Sequence, residues 1–284
     1  MYNFLEKMGN VDRRVIFLII GMVVLLPLLF PFGLPVKATK TTIDVYDAVE
    51  AIPDGGKVLV SFEYGPSTKP EIHPMAFAIL RHLFHKGHPV IIMCLWPDGL
   101  FMAQEVIHQV AELEYDLKYG VDYVNLGYRP GNEAIIKGIT RGFESVYTID
   151  TQGLPLSSIP IMRGVETVAD IDFIFSLSAG YPGSVEWVQY AADPLQIPFS
   201  SGTTSIQVNE VLPYVQAGQM QGIIAGMPAA AEYEGLIIEH GHFDMPGDAT
   251  RFMDAQSIAH LVIVLFIILG NTAYYIKRKK EQKY

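Results

Sequence analysis

Two long apolar runs lie near the ends of the chain. Residues 15–32 contain no charged side chain, and residues 258–276 are interrupted only by His260, Asn271 and Thr272. Because a helix rises about 1.5 Å per residue, each run gives roughly 27–29 Å of helix, close to the hydrocarbon thickness of a bilayer. The pattern predicts one transmembrane helix at residues 15–32 and another at residues 258–276, with the lipid bilayer as the first partner.

Between these runs, short apolar stretches rich in β-branched residues alternate with stretches of helical periodicity. The predicted strands are residues 58–62, 89–95, 121–126, 145–149, 172–177, 197–200 and 222–226. The predicted helices are residues 74–85, 100–118, 132–139, 165–170, 183–192, 209–217 and 228–238. Strands that are apolar throughout are typical of a parallel sheet covered on both faces. We therefore expect one α/β domain at residues 40–245, with a mostly parallel, Rossmann-like sheet and helices on both faces, and a stalk at residues 246–257.

Basic residues cluster beside both apolar runs, at Lys7, Arg13, Arg14, Lys277, Arg278, Lys279, Lys280 and Lys283. Positive charge beside a membrane helix is retained on the cytoplasmic side. The tails, residues 1–14 and 277–284, are therefore predicted to be cytoplasmic, and the domain to lie outside the cytoplasm of a two-pass cell-membrane protein. The chain has 30 acidic and 20 basic residues, so the domain is strongly acidic. Such a domain repels phosphate, which argues against a nucleic-acid partner.

The first apolar run also has an interpretation as a cleaved signal peptide. It follows a basic segment and precedes the triplet Val36-Lys37-Ala38, which a signal peptidase tolerates. The run is long for the apolar region of a signal peptide, which favours a retained anchor.

Motifs for cofactors and for nucleophilic catalysis are weak. The single cysteine, Cys94, lies within an apolar stretch and is expected in the core, without a disulfide. The segment 65–70 follows the first strand but lacks the glycine pattern of dinucleotide sites, so no cofactor is predicted. Ser178 lies in a segment that lacks the first glycine of a nucleophile elbow. A turn or capping serine is the favoured interpretation.

Polar and aromatic residues follow several predicted strands at their carboxyl ends. In parallel sheets these ends meet at one edge, where ligands bind. The sequence predicts a ligand-binding rim there, formed by Glu63, Tyr64, Ser67, Trp96, Asp98, Tyr128, Arg129 and Ser178.

Two groups of histidines are candidates for metal ligands. In an extended segment, His240, His242 and Asp244 would point to one side, and their side chains are common zinc ligands. We take these three as the predicted metal site. His82, His85 and His88 also recur at intervals of three, but their position near a helix end favours a solvated, dipole-complementing role.

The predicted function is that of a non-catalytic, membrane-anchored subunit of a larger membrane protein assembly. Its expected partners are other membrane subunits and further copies of itself, because the tails are short and polar residues interrupt the second span. A small-molecule binding or receptor domain outside the cytoplasm is the alternative. A membrane-anchored hydrolase comes third.

Overall fold

A computed structural model describes residues 12–34 and 36–281. The chain divides into two compact units. Residues 35–249 form one unit, an α/β domain. The two ends of the chain, up to residue 34 and from residue 250, form the other.

The α/β domain is built on a six-stranded sheet in which every pair of neighbours is parallel. The strands are β1 (Val58–Glu63), β2 (Val90–Cys94), β3 (Tyr123–Tyr128), β4 (Phe173–Ser178), β5 (Phe199–Thr203) and β6 (Gly222–Ala225). Their order is β3-β2-β1-β4-β5-β6, so the chain changes direction across the sheet between β1 and β4. The predicted parallel α/β architecture is confirmed.

The helices, in chain order, are α1 (Arg13–Leu29), α2 (Lys40–Glu50), α3 (Lys69–His85), α4 (Gly99–Val106), α5 (Glu133–Ile139), α6 (Ser184–Trp187), α7 (Asp193–Leu195), α8 (Val208–Gln216), α9 (Gly226–Glu239) and α10 (Asp248–Glu281). Ile107–Glu114 continues α4 in π-helical geometry, and Val188–Ala192 joins α6 to α7 in the same way. Short 3-10 turns occupy Phe143–Ser145, Leu156–Ser158, Pro160–Met162 and Val168–Asp170.

Helices cover both faces of the sheet. On one face, α2 and α3 approach the strands so closely that two glycines are required. A Cβ at Gly222 would lie 2.5 Å from the carbonyl oxygen of Thr41, and one at Gly202 would lie 2.9 Å from Sδ of Met75. The other face of the sheet packs against a hydrophobic core that contains the buried side chain of Trp187.

Three predicted features of the domain differ from the structure. The helix predicted at 165–170 is only a 3-10 turn, Val168–Asp170. The predicted strand at 145–149 is absent, and only Ile149 forms an isolated bridge, to Pro155. The chain turns here, because the backbone N–H groups of Val146 and Tyr147 donate to the carbonyl oxygen of Phe143 at 3.0 and 2.8 Å. Helix α2 was not predicted, although its buried residues Val45 and Val49 recur at the four-residue interval of a helix face.

One helix among the described residues is long and apolar enough to span a membrane. It is the Asp248–Ile276 part of α10. Its most apolar stretch of 18 residues has a mean hydropathy of 2.1, and 11% of that stretch is buried. Helix α1, at the position of the predicted N-terminal span, is too short to count as a second such helix, because it has only 17 residues. A long exposed apolar helix indicates membrane association.

The end of α1 and the start of α10 are joined by one carboxylate. Asp254 is almost fully buried, and its oxygens accept the backbone N–H groups of Phe32, Gly33 and Leu34 at 2.8, 2.8 and 3.0 Å. Gly33 has a positive φ of 62°, which turns successive N–H groups toward one anion. This contact makes the two helices of the unit neighbours at these ends.

Candidate functional site

The eight predicted rim residues all lie at or just beyond the carboxyl ends of β1 to β4. Glu63 and Ser178 are direct partners in the register of β1 and β4. They are buried, as is Tyr64, whereas Ser67 and Asp98 are exposed. Trp96, Tyr128 and Arg129 are partly exposed. The structure thus brings the set to one edge, and its role in ligand binding stays a prediction.

Glu63 is the centre of a closed polar cluster. Its carboxylate accepts hydrogen bonds from the hydroxyl of Ser61, from Oγ of Ser176 at 2.9 Å and from Nε1 of Trp187 at 3.0 Å. All four side chains are buried, with relative exposures of 0%. We call them the Glu63 cluster.

Burial dominates the electrostatics of the Glu63 cluster. Desolvation raises the pKa of Glu63 to about 7, although the three hydrogen bonds act in the opposite direction. The same burial raises the pKa of the nearby thiol of Cys94, as expected for a core cysteine. The carboxyl of Glu63 can therefore exchange a proton near neutral pH, but its enclosed position gives a ligand no direct approach.

Tyr64 contacts the first helix after its strand. Its hydroxyl lies 2.6 Å from Nδ1 of His73, whose Nε2 lies 3.6 Å from Glu105. Glu105 also pairs with Lys69 at 2.5 Å. Burial lowers the pKa of His73, so the imidazole is neutral near pH 7 and its contact with Glu105 is not an ion pair. These contacts fix α3 to the sheet edge.

The remaining rim side chains fall into separate places. Asp98 lies against Gly65, where a Cβ would be 3.0 Å from its Oδ2. Trp96 covers the loop after β4 and donates from Nε1 to the carbonyl oxygen of Pro182 at 3.0 Å. Arg129 lies over the ring of Tyr147, with its Cζ 5.3 Å from the ring centroid. The eight rim residues therefore make separate contacts along one edge of the sheet and do not line one common pocket.

A second polar cluster lies at the opposite edge of the sheet. Glu50 ends α2, His82 is in the last turn of α3, and His242 follows α9. Helices that connect or precede parallel strands run back along the sheet, so these helix ends meet where the strands begin. We call Glu50, His82 and His242 the histidine cluster.

Two imidazoles in the histidine cluster converge on one carboxylate oxygen. Nε2 of His82 is 2.8 Å from Oε1 of Glu50, and Nε2 of His242 is 3.1 Å from the same oxygen. The other carboxylate oxygen is held by Nζ of Lys86 at 2.9 Å. Ligand atoms of the three residues all lie within 4.8 Å of one another, a spacing that can close around a metal ion.

Aromatic rings surround the histidine cluster. The ring of His82 stacks between Tyr46 and His242, with both centroid distances at 4.8 Å. The hydroxyl of Tyr233 is 2.7 Å from Nδ1 of His82, and that of Tyr46 is 2.7 Å from Nε2 of His242. The imidazole orientations are therefore fixed from several sides.

Charge in the histidine cluster is set by burial and by hydrogen bonding. Desolvation lowers the pKa of His82 to about 4 and also lowers the pKa of His242. Partial burial would raise the pKa of Glu50, but hydrogen bonds from His82 and Lys86 outweigh it and lower that pKa to about 2. Near pH 7 the cluster holds two neutral imidazoles and one carboxylate.

The structure places the predicted metal ligands differently from one another. His242 belongs to the histidine cluster. His240 is exposed and its Nδ1 lies 2.9 Å from the carbonyl oxygen of Leu236, while Asp244 lines a neighbouring groove. Sequence reasoning missed Glu50 and His82 as their partners. One signal in the sequence indicates that His82 is buried. It follows the buried residues Met75 and Ile79 by seven and three positions, which places it on the apolar side of α3.

Comparison of the chain with protein-family models, with curated proteins and with solved structures finds no match.

Proposed function

We propose that the protein is a non-catalytic, membrane-anchored subunit of a membrane protein assembly, in which copies of this chain contact one another through α10. The observation that carries the proposal is an exposed polar residue within an exposed apolar stripe of this helix. The α/β domain is then the part that the assembly presents outside the cytoplasm.

The stripe consists of side chains at alternating spacings of three and four residues, namely Leu261, Val264, Ile268, Asn271 and Tyr275. All five are exposed, with Leu261 and Tyr275 each at 68%. This spacing is the seam along which helices pack at shallow angles in coiled coils and in membrane bundles. An unpartnered seam of this kind fits a second helix.

Asn271 indicates which helix fits the seam. Within the part of the chain that the structure describes, it has no hydrogen-bond partner, whereas the hydroxyl of Thr272 donates to the carbonyl oxygen of Ile268 at 2.7 Å. An amide carries both donors and an acceptor, so two Asn271 side chains of facing copies satisfy each other. A single asparagine in a seam also fixes register and oligomer state.

Two features support a two-pass arrangement with both termini in the cytoplasm. The Asp254 contact holds the end of α1 beside the start of α10, as expected of an antiparallel pair of anchors. Helix α1 exposes apolar side chains such as Phe17 and Leu18, at 69% and 60%. With basic residues in both tails, the positive-inside rule then puts the domain outside.

Cysteine cross-linking in native membranes tests the assembly. Ile268→Cys places a thiol in the seam, and Ile267→Cys places one on a neighbouring face of equal exposure, 57% and 56%. The buried Cys94 is the only native cysteine. Oxidation is expected to give a disulfide-linked dimer for Ile268→Cys and none for Ile267→Cys. Equal cross-linking of both variants, or of neither, contradicts self-association through this seam.

One observation favours the alternative of a ligand-binding domain. Among the described residues, Oγ1 of Thr203 and Oε1 of Gln207 are buried polar atoms without a hydrogen-bond partner. Thr203 ends β5 and Gln207 follows it. A Cβ at Gly180 would lie 4.0 Å from Nε2 of Gln207 and 3.3 Å from the ring of Trp96. A small polar ligand at this part of the rim would satisfy them.

A further inference from the structure

We propose that Glu50, His82 and His242 form a binding site for one divalent transition-metal ion of the zinc class. The proposal starts from the convergence of both Nε2 atoms on Oε1 of Glu50, at 2.8 and 3.1 Å. Two imidazoles and one carboxylate are a common three-ligand set for zinc. The proposal does not depend on the assembly proposed above.

The present distances are those of hydrogen bonds and lie close to those of a coordinated ion. Zinc sits about 2.0–2.1 Å from each ligand atom, which separates tetrahedral ligand atoms by roughly 3.3 Å. The ligand atoms of the three residues lie within 4.8 Å of one another, so small side-chain rotations bring them into range. In doing so the ion replaces the hydrogen bond between Nε2 of His82 and Glu50, and it takes the place of the Tyr46 hydroxyl at Nε2 of His242.

Residues around the three ligands have the arrangement that orients a metal shell. Tyr233 is buried, and its hydroxyl lies 2.7 Å from Nδ1 of His82, where it accepts the N–H of a metal-bound imidazole. Lys86 holds Oε2 of Glu50 at 2.9 Å, so Oε1 is presented alone.

An approach to the site exists beside His242. A groove of about 330 Å³ is lined by His85, His242, Phe243 and Asp244, among others. The side chain of His82 is fully buried, while those of His242 and Glu50 are 12% and 30% exposed. The ion can enter through this groove, and water from it completes a fourth position.

The three ligands come from parts of the domain that are distant in sequence. They belong to α2, to α3 and to the segment after α9, which leads into α10 at Asp248. A bound ion would clip this last segment to two helices of the domain. Binding of the ion would therefore add to the stability of the folded domain.

Zinc titration of the full-length protein in detergent, purified without a histidine tag and stripped with a chelator, tests the site. We expect wild-type protein to bind one Zn²⁺ per chain at micromolar concentration by calorimetry, and Zn²⁺ to raise its melting temperature. His242→Ala and Glu50→Gln should each weaken binding at least tenfold. Because both side chains are partly exposed, these variants are expected to fold.

His240→Ala is the matched control, since this neighbouring histidine is exposed and lies outside the ligand set. Its affinity for Zn²⁺ should equal that of the wild type. The site is refuted if wild-type protein binds no Zn²⁺. It is equally refuted if His242→Ala binds as tightly as wild type, or if His240→Ala and His242→Ala lose binding to the same extent.

Discussion

The two edges of the sheet carry polar clusters of opposite character. In the Glu63 cluster the carboxylate has hydrogen-bond donors on both oxygens and every member is buried. In the histidine cluster one carboxylate oxygen receives two imidazoles, and one side adjoins a groove. The first cluster comes from neighbouring strands and a helix on one side of the core, and the second comes from three separate helix ends.

The difference separates polar groups that hold a fold together from polar groups that can bind. A buried carboxylate with saturated hydrogen bonds has nothing left to offer a ligand. A carboxylate oxygen that lies against two imidazole nitrogens can instead bind an ion together with them. Position at the carboxyl edge of a parallel sheet favours binding in general, but here the better ligand geometry lies at the opposite edge.

The largest expected effect is on stability at the Glu63 cluster. Glu63→Leu leaves the indole N–H of Trp187 and two hydroxyls buried without their acceptor. We expect the free energy of unfolding to fall by about 2–5 kcal/mol, measured by urea titration with tryptophan fluorescence. The affinity for Zn²⁺ should not change. Glu63→Gln keeps an acceptor and should cost less than about 1 kcal/mol. A Glu63→Leu protein as stable as wild type would remove the distinction between the two clusters.

A smaller effect, with opposite signs at the two clusters, is expected from pH. The pKa of Glu63 is raised to about 7 by burial, so its contribution to stability is complete below the unfolded value of 4.5 and is lost as pH rises to about 7. This loss amounts to roughly 3 kcal/mol. The pKa of His82 is lowered to about 4 by burial, so its contribution instead grows from about pH 4 to 6.5.

Urea titrations at several pH values separate the two contributions. Other groups face these clusters and add to the histidine side. Burial also lowers the pKa of His73 and of His242, while Glu50, with its pKa near 2, loses its contribution only in stronger acid. Glu63→Gln should therefore gain stability between pH 4.5 and 6.5 more steeply than wild type does. Parallel profiles for the two proteins would show that Glu63 does not titrate in this range.

The parallel sheet could be predicted from the sequence because residues 58–60, 90–94 and 173–175 are continuous apolar runs, which are typical of strands covered on both faces. The strand predicted at 145–149 is absent because the chain turns there, and the backbone N–H of Tyr147 donates to the carbonyl oxygen of Phe143 at 2.8 Å. Helix α2 was missed because its N-terminus depends on a distant carboxylate. Glu232 accepts the N–H of Thr39 at 2.9 Å and the hydroxyl of Thr42 at 2.8 Å.

The rim could be predicted because residues after parallel strands must share an edge. The histidine cluster could not, since residues 50, 82 and 242 come together only through tertiary packing. Of the predicted metal ligands, His242 alone reaches this cluster, because the chain turns after α9 and leaves His240 exposed beside Tyr46. Local spacing therefore identified one residue of the histidine cluster but not the two contributed by other helices.

The account depends most on where the α/β domain lies, and labelling of intact cells with a membrane-impermeant maleimide tests this directly. The buried Cys94 gives a low background, so single cysteines can be introduced at exposed positions of the domain and of the C-terminal tail. We predict that Glu144→Cys is labelled on intact cells, and that Lys279→Cys is labelled only after the cells are permeabilised. Labelling of Lys279→Cys but not Glu144→Cys on intact cells would contradict the account.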